Sequence, residues 1–184
     1  MFRKLSVILV IGLLAFTAAC SSKSSSTNAA SATGAAASVA ATSTPAACPT
    51  KNTESFAKTK FVADVAIAGG AFKRYIYTPA KDGKFKKGAN GRVLAFVKAA
   101  AAGALTVNRL EAAKTAAQAN PTLCKLLAEP IAKFSAAVSG LVGKAKGGSI
   151  DPSDVDNASS YLTGLHGAAS QGGAAFTDNT DTSA

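Results

Sequence analysis

The large apolar residues between positions 123 and 141 recur every three or four places, a spacing that predicts an α-helix with one broad apolar face. Asparagine as N-cap and proline at the first helical position start it at Asn120-Pro121. Pro130 should kink this helix, and Gly143 is its predicted C-cap. The members of the face are Leu123, Leu126, Leu127, Ile131, Phe134, Val138 and Leu141.

Three further helices are predicted from similar patterns. The first begins near residue 55 or 58, ends at Tyr77 and is stopped by Pro79. The second runs over residues 92–119, and its larger apolar residues should face the core. The last begins at Asp151-Pro152, with Ile150 and Val155 placed for a hydrophobic staple, and frays after Gly167. The expected core positions of the second helix are Val93, Phe96, Ala100, Val107 and Leu110.

Gly69-Gly70 interrupts the first predicted helix at a cost of roughly 1 kcal/mol per glycine relative to alanine. Ala63 and Ala66 share a face with Gly70. Either the helix breaks at this point or the bare backbone lets a neighbouring alanine-rich helix come close, and we expect the close approach.

The first twenty residues have the three parts of a secretory signal. Arg3 and Lys4 give a positive start, residues 5–16 are apolar, and small residues precede Cys20. The apolar stretch has 12 residues, whereas a membrane-spanning helix needs roughly 20. Such a signal also fits ordinary secretion, with cleavage at a small-residue site nearby and no modification of Cys20.

Ala18-Ala19-Cys20 resembles the lipobox of bacterial lipoproteins, although Thr17 stands where that family usually has a larger aliphatic residue. The resemblance implies a diacylglycerol on Cys20, which would become the mature N-terminus, and a protein at the outer face of the cell membrane. The predicted divisions are a signal peptide (1–19), a lipidated cysteine with a disordered Ser/Ala/Thr linker (20–47), a helical domain (48–168) and a disordered tail (169–184).

The chain has three cysteines, so lipidation of Cys20 would leave Cys48 and Cys124 as a pair. In an exported protein such a pair is more often a disulfide than two free thiols. The bridge would contribute about 4–5 kcal/mol in the chain-entropy model. A coincidental buried pair is the alternative, and the spacing fits no zinc pattern. The predicted fold is therefore all-α, a small Ala-rich bundle of about four helices with one disulfide.

Three stretches, KTKFVADVAIAGGAFKRYIYTPAKDGKFKKG, NPTLCKLL and IDPSDV, follow one another across residues 58–160. In this order, with an alanine-rich helix between the first two, they resemble uncharacterised exported proteins of actinobacteria. The resemblance implies export and no particular activity.

Charge is unevenly distributed along the chain. Residues 48–149 hold 17 Lys and Arg against five acidic residues, and residues 150–184 hold five Asp and no Lys or Arg. Seven cations with interleaved aromatic residues predict an anion-binding surface, and a solvated surface without function is the alternative. The seven are Lys73, Arg74, Lys81, Lys84, Lys86, Lys87 and Arg92.

The partners that suit this surface are an anionic cell-wall polymer, anionic lipid or an envelope protein. Nucleic acid is bound by the same residue types, but the predicted location outside the cell makes it a less favoured partner. Asp178 and Asp181 lie in a Gly/Ser/Thr-rich end that could fold back on the basic loop predicted over residues 81–91 and compete with an external anion.

No catalytic, cofactor or metal signature is present in the sequence. His166 is predicted to be a surface residue, and the acidic group from Asp151 to Asp156 is explained by helix capping. We therefore predict a non-enzymatic, lipid-anchored protein with a basic binding or scaffold domain and no cofactor. The alternative is a carrier of a small apolar ligand or lipid, with a cavity between its helices.

Overall fold

A computed structural model describes residues 47–179, which are all-α. The helical elements are α1 (Ala57–Phe72), a π-helical turn (Lys73–Tyr77), α2 (Thr78–Lys81), α3 (Arg92–Gln118), α4 (Pro121–Lys146) and α5 (Pro152–Gln171). Because α1, the π turn and α2 follow one another without a break, the described chain has four helices, and it has no strand. The predicted fold class is confirmed. The predicted signal peptide, Cys20, the linker up to residue 46 and Asp181 lie outside the described residues.

The first helix does not stop before Pro79, as the sequence predicted, but continues to Lys81. In a regular α-helix the ring of Pro79 would clash with the carbonyl of Tyr75, four residues earlier. The π turn over residues 73–77 widens the helix at this point. Helical structure can therefore pass through the proline.

Helix α3 lies between α1 and α4 and contacts both. At Gly103 a methyl group would lie only 2.4 Å from Val142 Cγ2 of α4. The buried hydroxyl of Thr106 lies 3.3 Å from the carbonyl oxygen of Ala68 in α1. Small residues therefore let both neighbours come close to α3. The small residues of its buried face are Ala99, Ala102, Gly103, Thr106, Ala113, Ala116 and Ala117.

The predicted apolar face of α3 is partly wrong. Phe96 and Leu110 are buried, Ala100 and Val107 are half-buried, and Val93 is 76% exposed. Because α3 is apolar on most of its circumference, spacing alone did not show which face would be buried. By length and composition alone, α3 and α4 could each cross a membrane, although core helices of a bundle pass the same test.

The large side chains of the core come mainly from the helices around α3. Phe72 of α1 meets Phe134 of α4 edge to face, with ring centroids 5.4 Å apart. Leu162 and Leu165 bring α5 into the same core. Large residues of the surrounding helices thus pack with one another beside the small residues of α3. The fully buried large residues include Phe61, Phe72, Phe134, Leu110, Leu123, Leu127, Ile131, Leu162 and Leu165.

Helix α4 begins as predicted and ends later than predicted. Asn120 Oδ1 accepts hydrogen bonds from the backbone N–H groups of Thr122 and Leu123, both at 3.0 Å. Gly143 is not the C-cap, because the helix continues to Lys146 and ends at Gly147. The extra turn buries Ala145.

Helix α5 begins at the predicted position, with Asp151 as N-cap and Ile150 and Val155 buried. The Asp151 side chain makes no capping hydrogen bond and instead lies 3.6 Å from Lys144 Nζ. The helix continues past the predicted fraying point at Gly167 and ends at Gln171. Ala169 is fully buried and supports this extra turn.

The predicted disulfide between Cys48 and Cys124 is present, with Cα atoms 5.7 Å apart. It fixes the segment before α1 to the first turn of α4. The same segment is held by the Asn120 amide, which donates to Asn52 Oδ1 at 2.8 Å, and by the Thr53 N–H, which donates to the Ala119 carbonyl at 2.9 Å. The start of the described chain is therefore joined to its middle by one covalent bond and by polar contacts.

Replacing both cysteines, Cys48→Ser with Cys124→Ser, should lower the free energy of unfolding by about 2–5 kcal/mol, because the unfolded chain regains the entropy of an open loop. Urea denaturation followed by circular dichroism measures this change. Cys20→Ser is the control, since it leaves the bridge intact. Equal midpoints for the double variant and the control would contradict the expectation.

Candidate anion-binding surface

Residues 82–91, here called the lysine loop, connect α2 to α3 in a series of tight turns. Gly83, Gly88 and Gly91 have φ values of 69°, 83° and 72°, which favour glycine. Phe85 is buried, with its ring 5.0 Å from that of Phe96 in α3. Arg92 Nε donates to the Phe85 carbonyl at 3.0 Å. The loop is therefore fixed to the first turns of α3.

Three lysines of this loop are directed into solvent. Lys84, Lys86 and Lys87 are exposed, and none forms an ion pair with another residue in the described range. Asp82 is the one acidic residue of the loop. Three charges within four positions, on a loop held at both ends, can meet an extended anion together.

Two other predicted cations already have intramolecular partners. Lys81 Nζ lies 2.6 Å from Asp156 Oδ1 of α5, and this hydrogen bond raises the pKa of Lys81. The second guanidinium nitrogen of Arg92 donates to the Gly148 carbonyl at 2.7 Å. The Arg92 guanidinium also lies over the Phe96 ring at 4.7 Å. These two residues join helices and loops of the bundle.

The remaining two cations lie in the π turn. Lys73 Nζ is 2.5 Å from Asp178 Oδ2, and the Asp178 side chain is only 4% exposed. Arg74 lies over the Tyr75 ring at 5.6 Å. The predicted seven-residue cluster therefore divides into four residues with intramolecular contacts and the three lysines of the loop.

The chain after α5 folds back onto α1, so the predicted disordered tail is wrong for residues 169–179. Phe176 stacks on His166 with ring centroids 3.9 Å apart and meets Phe61 edge to face at 6.4 Å. His166 Nε2 lies 3.0 Å from Asp178 Oδ1, and the histidine side chain is 30% exposed. His166, predicted to be a surface residue, is therefore half-buried. Asp178 reaches Lys73 but not the lysine loop, and competition with an external anion stays a prediction.

At Gly69-Gly70 the nearest atoms belong to this tail, whereas the alanine-rich α3 comes close to α1 at the neighbouring Ala68. A methyl group on Gly70 would lie 1.5 Å from the Asn179 carbonyl oxygen, and one on Gly69 would lie 2.0 Å from Asp178 Oδ1. The Asn179 N–H donates to the Ala66 carbonyl at 2.9 Å. The glycine pair therefore leaves room for the end of the described chain.

The aspartates at the start of α5 are engaged with lysines. Asp154 Oδ2 lies 2.5 Å from Lys144 Nζ, which raises the pKa of Lys144. Asp151 approaches the same lysine, and Asp156 pairs with Lys81. Within residues 47–179, no three His, Cys, Asp or Glu residues are grouped as metal ligands would be.

Gly70→Ala should release the tail, because the added methyl group cannot share its position with the Asn179 carbonyl. Helix α1 itself should gain about 1 kcal/mol from the alanine, so the bundle should stay folded. Chymotrypsin cleavage after Phe176, followed by mass spectrometry, measures the release. Gly140→Ala is the matched control, since its methyl group meets only open space. Continued protection of Phe176 in Gly70→Ala would contradict this account.

Comparison with known proteins gives no relative for this chain. No protein-family model matches it, and neither does any curated protein or solved structure. The functional interpretation of the surface therefore depends on the contacts, exposure and charges described above.

Proposed function

We propose that this chain is a lipid-anchored protein of the cell envelope whose helical domain binds phosphate-bearing anionic surfaces, without catalysing a reaction. The sequence pattern ending at Cys20 supports the anchor and the outer face of the membrane as its location. The observation that carries the binding proposal is the lysine loop. Lys84, Lys86 and Lys87 are exposed together on a loop that is tied to α3.

The fixed loop favours binding because its backbone loses little freedom when a partner arrives. Each lysine near an anionic membrane surface contributes about 1 kcal/mol. Three lysines together would then contribute about 3 kcal/mol, or roughly 100-fold in affinity. Such binding is sensitive to salt, since exposed charges are screened beyond about 8 Å at physiological ionic strength.

The carrier function considered from the sequence has less support. Several clefts open at the surface of the described residues, and one of about 520 Å³ is lined by Lys73, Arg74, Tyr77 and Thr78. The large core residues Phe61, Phe72 and Phe134 are fully buried against one another and their neighbours. No observation favours a ligand between the helices.

Replacing the three loop lysines, Lys84→Ala with Lys86→Ala and Lys87→Ala, should weaken binding to polyphosphate at low salt by roughly 100-fold. The physical reason is the loss of three unpaired charges from one surface. Retention on a polyphosphate-coated resin over a salt gradient measures the effect. The wild-type chain should elute at a clearly higher salt concentration than the triple variant.

The matched control removes three charges elsewhere, with Lys51→Ala, Lys58→Ala and Lys125→Ala. These lysines are also exposed but do not lie in the loop. If the control elutes as early as the loop variant, binding reflects net charge alone and the proposed site is wrong. If neither differs from wild type, the lysine loop does not bind anions.

A further inference from the structure

We infer that the anionic surface bound by the lysine loop is a lipid bilayer, and that the outward side of α3 enters the headgroup region beside the lysines. This inference rests on the proposed function and names its partner. The outward side, here called the outer face of α3, is made of exposed residues at helical spacing. Its members are Val93, Leu94, Val97, Lys98, Ala101, Ala104 and Leu105.

The outer face of α3 is apolar where the exposed face of a bundle helix is normally polar. Val93, Leu94 and Val97 are 76%, 57% and 61% exposed, and Leu105 is 40% exposed. Lys98 is the one charged residue on this face. Large contiguous patches of exposed apolar side chains mark interaction sites, whereas single scattered apolar residues are normal on a protein surface.

The contrast with α4 supports a special role for this face. The exposed side of α4 carries the charged residues Lys125, Glu129 and Lys133, with small residues between them. Lys133 and Glu129 form an ion pair at 2.6 Å, as solvated helix surfaces often do. The two helices have similar lengths, but only α3 presents valine and leucine to the outside at several successive turns.

Charge complementarity favours an anionic bilayer as the partner. No acidic residue occurs between positions 83 and 110, a stretch that includes the lysine loop and most of α3. Lys146 lies at the end of a cleft of about 380 Å³ that is also lined by Val93, Val97 and Ala145. An apolar face bordered by lysines has the character of helices that lie in the membrane interface.

The tether predicted from the sequence makes even weak docking effective. The sequence predicts a linker over residues 21–47, and its 27 residues would reach about 30 Å as a coil and at most about 90 Å when extended. A domain on such a tether experiences a high effective concentration of the bilayer that holds it. A soluble anionic polymer would satisfy the lysines but would leave the outer face of α3 uncovered.

Because the chain contains no tryptophan, a single introduced tryptophan reports its own surroundings. Val97→Trp places it on the outer face of α3. Thr163→Trp is the matched control on α5, whose main packing partner is α4. The full chain carrying each substitution is mixed with vesicles of phosphatidylcholine alone or with one quarter phosphatidylglycerol, and with polyphosphate. Emission maximum and quenching by brominated lipid are measured.

We expect a blue shift and strong quenching for Val97→Trp in the phosphatidylglycerol vesicles, and little change for Thr163→Trp. Adding the three loop-lysine substitutions should weaken vesicle binding of Val97→Trp by tenfold or more. Unchanged Val97→Trp emission, with polyphosphate binding retained, would overturn the bilayer inference alone. Equal insertion into both vesicle types would overturn the charge-dependent docking. Failure of both vesicle and polyphosphate binding would overturn the proposed function as well.

Discussion

The close packing of α3 against α1 and α4 is the constraint on which the rest of the structure depends. The contact faces of α3 carry mostly alanine, together with Gly103 and Thr106, so the helix axes can approach closely. A methyl group at Gly103 would overlap Val142, and the Thr106 hydroxyl reaches a carbonyl of the neighbouring helix. Large side chains from the surrounding helices then fill the space at either side. The positions of the aromatic core residues follow from this arrangement.

The same packing accounts for the unusual surface of α3. Helix α3 buries mostly small residues, with Phe96 and Leu110 as the large exceptions, and Val93, Leu94 and Val97 lie outside. The lysine loop is attached to the first turns of the same helix through Phe85 and Arg92. The chain therefore has three unpaired lysines in the loop that leads directly into the helix with the exposed apolar face. Neither feature alone would distinguish a lipid surface from other anionic partners.

Local signals in the sequence predicted the helix starts, whereas features that depend on distant contacts were missed. Asn120-Pro121 and Asp151-Pro152 mark helix starts because the preference for these residues at a helix N-terminus depends only on the next few residues. Assigning Cys20 to lipid, which is itself a prediction from the sequence, left Cys48 and Cys124 as the pair that the structure joins. The buried face of α3 could not be predicted, because alanines surround the helix and both sides fit the same spacing. The contact between the tail and Gly69-Gly70 was not predicted, since no short-range sequence pattern relates these glycines to Asp178, more than 100 residues later.

The candidate surface was predicted in the same incomplete way. Sequence clustering gathered seven cations, but only tertiary contacts separate the loop lysines from Lys73, Lys81 and Arg92, which hold parts of the bundle together. Phe176 and His166, the aromatic pair under the tail, carry a faint sequence signal: a single aromatic residue in a Gly/Ala-rich end, ten residues after the one histidine.

The disulfide also determines how the domain responds to mechanical force. Tension that enters from the N-terminal side at Cys48 passes through the sulfur bridge directly to Cys124 in the first turn of α4. If the domain is held at α5, the 75 residues between the two cysteines lie outside the stretched path. Helices α1 and α3 are therefore shielded from stretching. While the bridge is oxidised, a strong pull would strain α4 first and leave the outer face of α3 in place.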